Sequence, residues 1–122
     1  MTLREAISRC DAVKPNQYTT QEKIRWLSRL DGRVQQEVLR THEPEPEAFF
    51  GYGEGDIDRP LLAEEPYDEL YPLYLQSQVD YYNAEFGRYN NSAAMFNEAV
   101  AAYADHINRT RRPAGVRGTR VW

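Results

Sequence analysis

The chain has 122 residues, 41% of them apolar and 12% aromatic, and its 15 lysines and arginines against 19 acids leave a formal charge of −4. That length fits one domain with its own core, and the apolar share excludes a chain disordered throughout. No run nears the roughly 18 apolar residues of a membrane span, Met1–Glu5 does not open like a secretory leader, and the single Cys10 excludes an internal disulfide or a thiolate metal cluster.

A reducing cytosol is therefore the expected compartment. The charge is segregated: residues 1–42 carry +3, residues 43–69 carry −9, residues 70–108 carry −3 and residues 109–122 carry +5. Like charges clustered in this way are usually solvated loops or partner-facing tails.

Thr2-Leu3-Arg4-Glu5 predicts a capping box at the start of a first helix. Leu3, Ala6, Ile7 and Cys10 then form one apolar stripe, and Pro15 ends the helix near Lys14. A second box, Thr19 to Glu22, opens a second helix with Ile24, Leu27, Leu30, Val34 and Val38 at helical spacing, flanked by Trp26 and Leu39. Gly32 inside it costs about 1 kcal/mol relative to alanine. Lys23, Arg25, Arg29, Arg33 and Arg40 read as its solvated face.

Residues 43–65 read as a long acidic loop, longer than compact domains usually tolerate without a functional reason. Leu61 and Leu62 are placed to tack its far end down or to add a short strand. A third helix is predicted over roughly 67–89, with Pro72 acceptable only near its start. Asn90-Asn91-Ser92 is expected to break the pattern and cap a fourth helix, whose stripe is Phe96, Ala99, Val100, Tyr103, Ala104 and Ile107. Six of the nine tyrosines lie between residues 67 and 89, a density that suits a shallow core or an oligomer interface.

The expected fold is all-α: a small bundle of about four helices, with a long acidic loop between helices two and three and a basic C-terminal tail. Its boundaries are 1–112 for the helical domain and 113–122 for a flexible tail. Leu27, Leu30, Val34, Leu75, Phe96, Val100, Tyr103 and Ile107 are the expected core, with Phe96→Ala costing about 3–5 kcal/mol.

Catalytic and metal chemistry find little support. His42 and His106 each lack a neighbouring pair of ligands, and Asp105 and His106 read as exposed positions. Cys10 lies on an apolar stripe, as a packing cysteine does. Gly51-Tyr52-Gly53-Glu54-Gly55 lacks the Lys-Ser/Thr of a phosphate loop and sits among acids. Asp56, Asp58 and Glu64 do not keep the steps of a calcium loop. No enzyme activity, cofactor or metal is expected.

Several stretches together carry a resemblance. Lys14-Pro15-Asn16-Gln17-Tyr18 leads into Trp26-Leu27 and Leu30-Asp31-Gly32. Leu61-Leu62 precedes Pro66-Tyr67-Asp68-Glu69-Leu70-Tyr71. Tyr82-Asn83, Tyr89-Asn90-Asn91-Ser92, Phe96-Asn97, Tyr103-Ala104 and Asn108-Arg109 follow. Over about residues 1–110 the series resembles the head–tail connector (adaptor) proteins of phage and prophage head-morphogenesis clusters. Family members tend to have another residue where Pro72 stands, and the arginine-rich end has no counterpart.

The resemblance implies a ring of copies beneath the portal, joining capsid to tail at the head–tail junction of a virion assembled in the bacterial cytoplasm. Its partners would be the chain itself, the portal and tail-completion proteins, with DNA only as passing cargo and no membrane. On that reading, Tyr71, Tyr74, Tyr81, Tyr82, Glu54, Asp56 and Asp58 are candidates for the oligomer interface. Arg111, Arg112, Arg117, Arg120 and Trp122 are candidates for partner docking. The alternatives are a small helical protein–protein interaction module, or a nucleic-acid-binding regulator using the arginines of the tail.

Overall fold

A computed structural model describes residues 1–114 of the chain. They form four α-helices: α1 (Leu3–Val13), α2 (Thr20–Val34), α3 (Leu70–Tyr82) and α4 (Phe86–Thr110). No strand is present among the described residues, and the expectation of an all-α bundle holds.

The start of α1 is as the sequence predicts. Thr2 Oγ1 accepts from Glu5 N at 3.2 Å, and Glu5 Oε1 accepts from Thr2 N at 2.9 Å. Leu3, Ala6, Ile7 and Cys10 are all buried, and the helix stops just before Pro15. At the start of α2, Thr19 Oγ1 accepts from Glu22 N at 3.1 Å. Ile24, Leu27, Leu30 and Val34 turn inward from it.

Beyond Val34 the helix continues as a π turn, Gln35–Leu39, closed by Arg40 N donating to Gln35 O. The extra residue rotates the register, so Leu39 is buried where the spacing predicted Val38, which is only half-buried. Lys23 also departs from expectation. Instead of standing on a solvated face it is 3% exposed, and its Nζ lies 2.8 Å from Asp11 Oδ1, linking α2 to α1.

The acidic segment is a strap across the bundle. A helix leaves its first N–H groups without internal partners. Here Leu3 N donates to Arg59 O at 3.4 Å and Arg4 N donates to Ile57 O at 2.8 Å. Leu61 N donates to Met1 O at 2.9 Å, and Leu61 and Ala63 are buried. Leu61 thus tacks the strap down without forming a strand. Asp68, one of the ten acids of residues 43–69, is itself buried, 3.2 Å from the Met1 amino group.

A 3₁₀ turn, Tyr67–Glu69, leads into α3 and puts Pro72 at the third helical position, where its missing N–H costs nothing. The predicted helix over 67–89 is cut short. It ends at Tyr82, and the break expected at Asn90–Ser92 falls inside α4. The stop lies at Asn83–Glu85. Asn83 Oδ1 accepts from Tyr18 Oη at 2.7 Å, and Ala84 takes a left-handed φ of 58° that reverses the chain. Ser92 faces α3 as a clasp, donating from Oγ to Asp80 Oδ2 at 2.8 Å. Asp80, 1% exposed, also lies 2.5 Å from Lys14 Nζ, so one carboxylate ties α1, α3 and α4.

A left-handed conformation costs an L-residue about 1–2 kcal/mol, and glycine's extra unfolded-state freedom costs about 0.4–1 kcal/mol. Ala84→Gly is therefore expected to raise stability by about 0.5 kcal/mol, read from chemical unfolding. A loss of stability would mean the Ala84 methyl makes contacts worth more than the strain.

The core gathers α1, α2, α3 and the C-terminal third of α4. Leu27, Leu30, Val34, Leu75, Tyr103 and Ile107 are buried as predicted. Phe96 and Val100 are corrections: both pack against the core yet remain half-buried. The middle of α4 rides above the core, where α2 does not fully cover it.

Past α4 the chain folds back on the segment that follows the π turn. Glu43 N donates to Arg112 O at 2.7 Å and Ala114 N donates to Thr41 O at 2.9 Å, so Pro113 and Ala114 lie against Thr41–Glu43. The rest of the expected tail lies outside the described residues.

Candidate functional site

Where α4 stands off the core, a groove of about 420 Å³ opens between α2, α3 and α4. Arg29 and Arg33, one helical turn apart on α2, form one wall, and Tyr74, Tyr81 and Tyr82 of α3 and Tyr89 and Phe96 of α4 form the rest. A smaller cavity of about 130 Å³ shares Arg33, Phe96 and Asn97 and extends the groove to Val38 and Val100.

An aromatic cluster builds its upper end. Tyr82 stacks on buried Trp26 at 5.5 Å with an interplanar angle of 2°, and Tyr18 packs against Trp26 at 5.5 Å. Tyr81 meets Tyr82 edge-on at 5.2 Å and Tyr89 at 5.4 Å. Lower down, Tyr74 lies 5.0 Å from Phe96. Trp26 anchors the cluster, while Tyr81 and Tyr82 are each 49% exposed and Phe86 57%. Such amphipathic rings give large contact area at little entropic cost, which is why interfaces enrich them.

The electrostatics of the groove are cationic. Burial pushes the Tyr74 hydroxyl above the usual tyrosine range, and the positive charges of Arg29 and Arg33 act against that shift. Arg33 also pairs with Glu37 at 3.4 Å, an exposed pair of small energetic weight. Guanidinium groups, phenol hydroxyls and the Asn97 and Gln78 amides suit carboxylates and aromatic rings.

The predicted interface residues divide. Tyr74, Tyr81 and Tyr82 line the groove. Tyr71 does not: it is fully buried, donating from Oη to Asp31 Oδ1 at 2.7 Å while accepting from Ala63 N, so it cannot touch a partner. Glu54 accepts from Gln21 Nε2, Asp56 accepts from Gly53 N at 2.7 Å, and Asp58 pairs with Arg4 at 2.7 Å. These acids hold the strap to α1, to α2 and to itself.

Of the predicted docking residues, Arg111 lies 3.9 Å from Glu64 and Arg112 lies 3.9 Å from Glu43. Arg117, Arg120 and Trp122 lie outside the described residues. Arg29, Arg33, Tyr89 and Phe96 are the groove residues that the sequence reading assigned elsewhere. The one signal for the arginines was their spacing of four beside the apolar stripe.

Asp31 is the other polar centre. Its buried carboxylate accepts from Tyr52 Oη at 2.5 Å, Tyr71 Oη at 2.7 Å and Leu62 N at 3.0 Å, pinning the strap to α2. Both histidines have structural partners. His42 is buried with Nε2 2.8 Å from Asn108 Oδ1. His106 is half-buried, stacked on Tyr67 at 4.5 Å, with Asp105 exposed beside it. Burial pushes the Cys10 thiol up to about 11. Among the described residues no three His, Cys, Asp or Glu gather to hold a metal, and no helix is long and apolar enough to cross a membrane.

No protein-family model, curated protein or solved structure matches this chain.

Proposed function

We propose that the protein is a non-enzymatic assembly subunit, a head–tail connector that forms a ring under the portal and joins capsid to tail. The observation that carries the reading is the groove: half-exposed tyrosines and two arginines, held on rigid helices and anchored by buried Trp26, form a preorganised contact surface. A ring subunit needs two different, complementary faces, and the segregation of charge into an acidic strap and basic stretches suits that need.

The test is sedimentation of the full chain, alone and with its cognate portal ring. Monomers or weak association are expected in dilute solution, with ring-sized species at high concentration or on the portal. A chain that stays monomeric with the portal present overturns the reading.

A further inference from the structure

We propose that the groove beside α2 and α4 receives the acidic arm Glu43–Phe50 of a second copy of this chain, head to tail. The inference rests on the assembly reading and names the interface that reading needs.

The arm carries an apolar anchor that its own chain leaves uncovered. Phe50 is 94% exposed, although Phe49 and Tyr52 on either side pack together at 4.9 Å. Gly51 fixes this arrangement: its φ of +96° turns the chain, and a Cβ there would stand 2.8 Å from Ser28 Oγ, which accepts from Tyr52 N. The arm sits loosely on the π turn that follows its own α2. Gln35 Nε2 donates to Glu47 O at 2.7 Å, but a cavity of about 300 Å³ lies between Gln36, Arg40 and residues 45–49. Glu45 and Glu47 are exposed and make no ion pair among the described residues.

Arm and groove match in charge and in repeat. In an extended segment, side chains two residues apart share a side and lie about 6.6 Å apart. Arg29 and Arg33, four residues apart on a helix, rise about 6 Å. Glu45 and Glu47 thus meet the two guanidinium groups in register, and Phe50, of opposite parity, turns to the Tyr74–Phe96 side. The groove is also long enough. Tyr89 to Val100 covers about 16 Å of α4, and the five steps from Glu45 to Phe50 span about 16 Å when extended. Because arm and groove are different patches, each copy uses both, and repetition closes a ring or continues as a filament.

Charge reversal of the full chain tests the match. Arg29→Glu with Arg33→Glu, Glu45→Lys with Glu47→Lys, and Phe50→Ala all alter exposed residues, and unchanged thermal melts would show that folding is intact. Each is expected to weaken self-association in sedimentation by about tenfold or more. Mixing the two charge-reversed chains should restore it, because every arm then meets a groove of opposite sign. A photocrosslinker at position 82 should join the groove to residues 43–52 of another copy.

Wild-type assembly with unaffected variants, no rescue on mixing, or a crosslink to any other segment or to the portal overturns the arm-in-groove contact and leaves the connector reading standing. A wild-type chain that assembles neither alone nor on the portal overturns both.

Discussion

Asp31→Ala is expected to destabilise the domain by about 3–5 kcal/mol, a large share of the 5–15 kcal/mol that holds a domain of this size together. The carboxylate accepts three hydrogen bonds, and two of its donors are the hydroxyl of fully buried Tyr71 and the amide of half-buried Leu62. Its removal strands both and releases the strap from α2. Tyr52→Phe removes one donor and should cost about 1 kcal/mol. Urea unfolding measures both losses, and a loss under 1 kcal/mol for Asp31→Ala would mean that water replaces the carboxylate.

The same site gives a pH dependence. Burial pushes the Asp31 carboxyl above its ordinary range, against the Tyr52, Tyr71 and Leu62 hydrogen bonds that pull it down. The folded chain therefore binds this proton more tightly than the unfolded chain. Asp31's contribution is greatest below the ordinary carboxylate value of about 4 and declines as pH rises through the raised value. Wild type should thus lose stability relative to Asp31→Asn as pH climbs from about 4. Asp58, lowered by its hydrogen bond to Arg4, and Glu5, lowered by its bond to the Thr2 backbone, work in the opposite sense. Both are fully exposed, and both remain in the variant, so they cancel in the comparison.

Leu75→Ala is the second large effect, at about 3–4 kcal/mol. Leu75 has no exposed surface and lies mid-helix in α3, which packs against α1, α2 and α4, so the surroundings have little freedom to collapse into the cavity. Phe96→Ala is expected to cost only about 1–2 kcal/mol, less than its place on the apolar stripe of the fourth helix suggested, because Phe96 remains half-buried. The two losses, compared by unfolding under one set of conditions, test where the core ends. Equal losses would place α4 deeper in the bundle than its burial indicates.

That contrast separates local from tertiary information in the chain. The starts of α1 and α2 were legible because a cap is a contact among residues three apart: Thr2 with Glu5, and Thr19 with Glu22. The inward stripe of α1 was legible because one side of that helix meets the core and the other meets water. α3 was harder for the opposite reason. It is surrounded, its apolar residues face several neighbours, and no single stripe marks its end. Its stop at Asn83 depends on a hydroxyl from Tyr18, sixty-five positions away.

The groove was half legible. A dense run of tyrosines marks a surface of unusual composition, and Tyr74, Tyr81 and Tyr82 do line it. Tyr71, in the same run, is sealed inside by Asp31, a partner forty residues distant. The sequence by itself determined the all-α class, the starts of α1 and α2, most of the core and the segregation of charge, since these follow from composition and from contacts within one or two turns. Only the tertiary structure decided that the acidic segment straps the bundle, that Lys23 is buried, and that Arg29 and Arg33 meet Phe96 across a groove. Each of those depends on which faces of distant helices meet, and spacing along one helix does not encode its neighbour's register.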